Sequence, residues 1–116
     1  MDTMITIDKI KEGFLSEAIE HGKAIAIGDN KKANKLHKKL HNLYSKAKEQ
    51  DAVNVFEEFL NEDDENVRFW AATFSLGSSP ELAEKSLEKL TGLSSITGLS
   101  AKTTLHLWKE GKLDLL

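Results

Sequence analysis

The stretch Asp64-Glu65-Asn66-Val67-Arg68-Phe69-Trp70-Ala71-Ala72-Thr73-Phe74-Ser75-Leu76-Gly77 constrains this chain more than any other. Asp64 is a good helix N-cap, and Glu65 to Leu76 read as one helix. Val67, Phe69, Trp70, Ala71, Ala72, Phe74 and Leu76 point all round its axis, interrupted chiefly by Arg68, Thr73 and Ser75. A helix without a polar face has to lie between other elements. With 116 residues, the chain has room for one domain built around it. Gly77 is placed to stop the helix in a left-handed turn.

The elements that would cover this helix also read at helical period. Thr6 caps a first helix whose Ile7, Ile10, Phe14 and Ala18 form one stripe. Gly13 and Gly22 within it imply close packing or a break near Gly22, and the helix ends by Gly28. Asp29 or Asn30 caps a second helix with the stripe Ala33, Leu36, Leu40, Leu43 and Ala47. Asp51 caps a short third helix that turns Ala52, Val53, Phe56, Phe59 and Leu60 inward, and Asn61-Glu62-Asp63 is a tight turn before the central helix. Ser79-Pro80 is an N-cap followed by proline at the first helical position, starting a fifth helix to Leu90 with Leu82, Ala83, Leu87 and Leu90 inward. Thr91 to Thr97 reads as a loop. A sixth helix carries Leu99, Ala101, Leu105, Leu107 and Trp108 inward and stops at Gly111. Val and Ile are scarce and no apolar run alternates with period two, so the expected fold is all-α. Its six helices divide into an N-terminal hairpin at about 6–48 and two pairs at about 51–77 and 79–111.

Composition removes several chemistries. Without cysteine there is no disulfide framework, thiolate metal site or thiol nucleophile. Residues Met1 to Asp8 lack the pattern of a signal peptide and no run approaches ~20 apolar residues, so a cytoplasmic protein away from membranes is expected. The net charge of -3 conceals a segregation along the chain. Lys31, Lys32, Lys35, Lys38, Lys39, Lys46 and Lys48 occur with no acid between Asp29 and Glu49. From Glu49 to Glu65 every charge is negative.

Two features suggest repetition: Leu60 and Leu90 close the first members of the last two pairs, and Val67 and Leu99 open the second. The central stretch, with its Asp, Val-Arg, Ala-Ala and Leu-Gly, resembles the short HEAT-like repeat of the phycobilisome-lyase type. The wider frame, from Gly28-Asp29 through Ala33-Asn34-Lys35, Ala83, Leu87 and Glu88 to Leu105, Trp108 and Gly111, resembles an uncharacterised bacterial family of small HEAT-like proteins. That resemblance implies a right-handed α-α superhelix. The last pair departs from the pattern, with Thr103-Thr104 in place of Ala-Ala and no counterpart of Arg68.

His37 and His41 stand at i, i+4, a spacing that lets two imidazoles reach one metal ion, but no third ligand is evident and lysines surround them. They are read as surface histidines, with His41 toward solvent and His37 beside the apolar stripe. Glu57 and Glu58 are adjacent on a helix, about 100° apart, and do not converge on one atom. Arg68 is expected to pair with acids of the preceding turn or to pack its stem over the repeat junction. Trp70 and Trp108 are expected as core anchors. The apolar tail Lys112 to Leu116 either folds back or joins an interface.

These readings converge on a non-catalytic protein-interaction module, with a bacterial toxin-neutralising immunity protein as an analogous setting. The expected partner is another protein held in a groove lined by the second helix of each pair, without cofactor or metal. The candidate contact residues are Lys31, Asn34, Lys35, Lys38, His41, Glu62, Asp63, Asp64 and Arg68. The alternative is weak binding of nucleic-acid backbone by the lysines of the second helix.

Overall fold

A computed structural model describes residues 5–113. They are all-helical, with no strand among the described residues. The elements are α1 (Ile7–Ala26), α2 (Asn30–Glu49), a 3-10 helix (Val53–Phe59), α3 (Glu65–Ser75), α4 (Pro80–Leu90) and α5 (Ile96–Lys109). No helix among them is long and apolar enough to cross a membrane.

Side-chain caps start the helices where the sequence places them. Thr6 Oγ1 accepts from the Lys9 N–H at 3.2 Å, and Asp29 Oδ1 accepts from Lys32 N–H at 3.1 Å. Asp64 Oδ1 accepts from both Asn66 N–H (2.8 Å) and Val67 N–H (3.0 Å). Such caps satisfy amides that have no partner within the helix.

Three helices end with one device. After α1, Gly28 has φ 73°, and the next amide, Asp29 N–H, reaches back to Ala24 O at 2.9 Å. After α5, Gly111 (φ 70°) and Lys112 N–H to Leu107 O repeat the arrangement. After α2 the left-handed position belongs to Asp51 (φ 56°), with Ala52 N–H bonded to Ala47 O at 2.8 Å. Asp51 therefore terminates α2 and does not cap the element that follows; aspartate tolerates this conformation better than most residues. Gly77, expected in the left-handed region, is not there. The chain instead leaves α3 through further tight turns, with Ser79 N–H bonded to Ser75 O at 2.8 Å.

α3 is the centre of the molecule. From Asn66 to Leu76 every residue except Arg68 is buried. α1, the 3-10 helix, α4 and α5 all pack against it, while α2 lies along α1. Phe74 is the hub of the core: its ring lies 4.8 Å from that of Tyr44, 5.1 Å from Phe56, 5.4 Å from Trp70 and 6.1 Å from Phe14. α1 runs unbroken through Gly22, because the glycine meets a neighbour and not a hinge. A Cβ at that position would stand 3.0 Å from Asn66 Cβ of α3.

Other expectations are corrected by packing. The third element is a 3-10 helix without a side-chain cap, and its three-residue period aligns Val53, Phe56 and Phe59, while Val55 is buried as well. The Ser79 hydroxyl does not cap α4; it donates to Glu57 Oε2 at 3.0 Å, and Pro80 fills the first helical position. Leu82 is 48% exposed, because α4 turns only Ala83, Leu87 and Leu90 toward the core. The loop after α4 is shorter than expected: Ser95 caps α5 by accepting from Gly98 N–H at 3.3 Å. Leu99 is 64% exposed, since it lies about 200° round the helix from Ala101, whose side faces the core.

Two stability predictions arise from these contacts. A Cβ at Gly98 would collide with the backbone carbonyl of Leu93 and stand 3.2 Å from Leu90 O. Gly98→Ala is therefore expected to destabilise by about 1–3 kcal/mol in urea unfolding, despite alanine's better helix propensity. An unchanged midpoint would show that the loop yields freely. Ser75 is fully buried, and its hydroxyl has no hydrogen-bond partner among the described residues. Removing it in Ser75→Ala is expected to raise stability by about 1 kcal/mol.

Candidate functional site

A broad concavity lies over Trp70 and encloses about 640 Å3. Its floor is α3, through Phe69, Trp70 and Thr73. One wall is α2, with Ala33, Asn34, His37 and His41; the other is α5, with Leu99, Ser100, Thr103 and Thr104. His21 and Ile25 of α1 and Leu113 complete the lining. The second helices of the expected pairs thus form its sides and floor. Leu113 packs against the core, whereas the rest of the apolar tail, Asp114 to Leu116, lies outside the described residues.

Three imidazoles gather round the Trp70 indole. Ring centroids of His37, His21 and His41 stand 5.1, 5.3 and 5.7 Å from it, all edge-to-face. His37 and His41 are 4.6 Å apart. The expected orientation of this pair is reversed: His37 is the more exposed of the two, with one side of its ring covered by Trp70, and His41 is half-buried, 5.7 Å from the Phe74 ring. Helix α3 supplies the aromatic surface that draws His41 in. Among the described residues no three His, Asp or Glu side chains converge as a metal site would require.

His21 is the most constrained of the three. Trp70 Nε1–H, which can only donate, points at His21 Nδ1 at 3.2 Å. The Asn66 amide nitrogen lies 3.0 Å from the same atom and donates to the Ala18 carbonyl at 2.7 Å. Nδ1 therefore has to be an acceptor, so the ring is neutral with its proton on Nε2. Burial, aided by the neighbouring His37, holds its pKa down at about 4. Burial also lowers that of His37, with a smaller contribution from His41.

The candidate contact residues fall in three places. Asn34 and His41 line the groove. Lys38 stands on the same face of α2, about 40° round from Asn34, but is not part of the groove's lining. Lys31 and Lys35 line a separate shallow hollow with Lys32, Lys39 and Asp29. Glu62, Asp63, Asp64 and Arg68 form none of the groove. They belong to the turn before α3, where Arg68 Nη1 donates to the Glu62 and Asp63 carbonyls at 2.8 and 2.9 Å. Arg68 thus holds the turn through backbone carbonyls and not through the carboxylates expected for it.

Glu57 and Glu58 diverge. Glu57 accepts from Ser78 and Ser79, and Glu58 pairs with Lys11 at 2.9 Å. Trp70 is buried in the core, whereas Trp108 is half-buried and donates to Glu84 at 3.0 Å, joining α5 to α4.

Sequence reasoning passed over His21 and Asn66. A signal existed for each: His21 follows Ala18 by three and Phe14 by seven, continuing the apolar stripe of α1. Asn66 is a polar residue in a helix that has no solvent face. The groove as a whole offers an aromatic floor, an exposed leucine, hydroxyls and imidazoles, which suits holding a ligand by packing and hydrogen bonds. The chain matches no protein-family model, no curated protein and no solved structure.

Proposed function

We propose that this chain is a non-catalytic protein-interaction module that holds a segment of another protein in the groove over Trp70. The observation that carries the reading is Leu99, a large apolar side chain 64% exposed on a rim beside an aromatic floor. Exposed apolar surface in a concavity is a common mark of a binding site. On this reading the helices stack as short HEAT-like repeats of a right-handed superhelix, and a toxin-neutralising, immunity-type role in a bacterial cytoplasm is a setting that suits a small stoichiometric binder. The test places a photo-crosslinking residue at Thr103 in the groove, and in a second variant at Lys89 on the opposite side of α3. A single stoichiometric protein adduct from Thr103 and none from Lys89 supports the proposal; equal labelling from both positions refutes it.

A second reading rests on the lysines of α2. Lys32 pairs with Glu20 at 3.5 Å, while Lys31, Lys35 and Lys39 make no ion pair within 4.0 Å among the described residues. A row of such cations attracts a phosphate backbone without reading sequence. Titration of labelled duplex and single-stranded DNA at two salt concentrations distinguishes it: salt-sensitive binding lost in Lys35→Glu/Lys39→Glu is the expected signature, and no binding at low salt removes it.

A further inference from the structure

Resting on the groove reading above, we infer that the segment it receives is apolar on one side and acidic on the other. The inference comes from the charges on the elements that form the groove. This chain has 19 acidic residues, yet among the described residues no Asp or Glu lines the concavity. α5 contains no Asp or Glu from Ile96 to Lys109. α2 contains none until its last residue, Glu49, which pairs with Lys46 at 3.8 Å. On α1, Glu20 pairs with Lys32, which lines the separate hollow on α2 and not this groove. Among the described residues the groove therefore has an apolar floor and rim and neutral hydroxyls and amides on its walls, with Lys38 at its edge on the α2 face that carries Asn34 and His41.

An acidic segment with leucine-like side chains at helical spacing complements every part of that surface. Its apolar face meets Trp70 and Leu99, and its carboxylates meet Lys38 and the hydrogen-bond donors of the walls. A basic segment would find no countercharge among the described residues there. A polyanion without apolar side chains would gain from the lysines but would leave Trp70 and Leu99 uncovered.

Three synthetic helical peptides of equal length test this against the intact chain by fluorescence anisotropy. One bears leucine on one face and glutamate on the other, one has lysine for every glutamate, and one has alanine for every leucine. Leu99→Glu serves as the groove variant, and the exposure of Leu99 protects the fold; circular dichroism checks it. Lys102→Glu, on another face of α5, is the control. The leucine–glutamate peptide is expected to bind at least about tenfold tighter than either other peptide, and to lose about tenfold in Leu99→Glu but not in Lys102→Glu. Preference for the leucine–lysine peptide, abolished by a groove substitution such as Thr103→Trp, would overturn the acidic assignment and leave the groove reading intact. Equal binding of the alanine–glutamate peptide, or of duplex DNA, would overturn the inference in favour of the lysine row. No binding by any peptide would count against both the inference and the groove reading.

Discussion

Phe74→Ala is expected to destabilise the protein by about 3–5 kcal/mol, the largest loss of any single truncation of this core. The ring is fully buried in α3 and touches the aromatic rings of α1, α2 and the 3-10 helix as well as Trp70. Its removal forfeits the transfer free energy of a phenyl group and leaves a cavity bounded by other large rings, which cannot all move inward together. Domains of this size are commonly stable by about 5–15 kcal/mol, so a large share of the total is at stake. Urea unfolding followed by circular dichroism measures it as a lower midpoint at unchanged slope. Leu82→Ala on the half-exposed side of α4 is the control and is expected to shift stability by no more than about 0.5 kcal/mol. A loss below about 1 kcal/mol for Phe74→Ala would contradict its place as the hub. Because the His41 ring rests 5.7 Å from Phe74, the same variant is also expected to loosen the α2 wall of the groove.

The second large effect is that of acid. The unfolded chain protonates His21 near 6.5, whereas the folded protein resists until about 4. Between those values the unfolded state binds more protons than the folded state, so stability rises with pH across the window. The contribution of neutral His21 is fully present above about 6.5, is lost progressively down to about 4, and changes no further below that. At about 1.4 kcal/mol per pH unit of displacement, the loss amounts to about 3 kcal/mol. The cause is geometric: an imidazolium would turn an Nδ1–H toward the N–H of Trp70, donor against donor, in a site only 7% exposed. His37 acts in the same direction, through burial and the nearby His41. Glu17 acts in the opposite one, since burial, partly offset by Lys39, raises its pKa and makes acid favour the fold.

His21→Gln isolates the histidine, because the glutamine carbonyl can still accept from Trp70 and does not titrate. The stability difference between the native chain and this variant is expected to move by about 3 kcal/mol against the native chain between pH 7 and pH 4. A difference independent of pH would mean that His21 is as easily protonated in the fold as outside it. The shift in Trp70 fluorescence over the same range reports the contact directly.

The helices themselves were legible because helix formation leaves local traces. Thr6, Asp29 and Asp64 bond to amides two or three residues away, and Gly28 and Gly111 reverse the chain at the ends of their own helices. Such interactions are complete within a few residues and need no knowledge of the rest of the molecule. The central place of α3 was legible for a related reason: a helix apolar on all sides has only one solution in water. The mistaken details share the opposite character. Whether Leu82 and Leu99 face inward depends on how far α4 and α5 are covered by neighbours, and the Ser79 hydroxyl was claimed by Glu57, twenty-two residues away. Asp51 looked like the start of the next element and proved to be the end of the last, where its left-handed backbone lets Ala52 N–H close α2 on Ala47 O.

The candidate site divides along the same line. Local periodicity alone determined that α2 is a lysine-rich amphipathic helix and that α3 is the core, whereas the expectation of a groove along α2, α3 and α5 came from the pairing of helices and the likeness to stacked repeats. Only the tertiary structure decided what occupies that groove's surface. His21, His37 and His41 come from two helices, and Trp70, which gathers them, from a third; Asn66 reaches 48 residues along the chain to Ala18. The separation of the groove from the acidic turn was decided there too, because Arg68 folds back on Glu62 and Asp63 at the far end of α3's first turn. Sequence determines which faces are apolar, since each residue carries its own cost of transfer from water. Which faces meet depends on how all the helices fill space together, and that sum is not contained in any one segment.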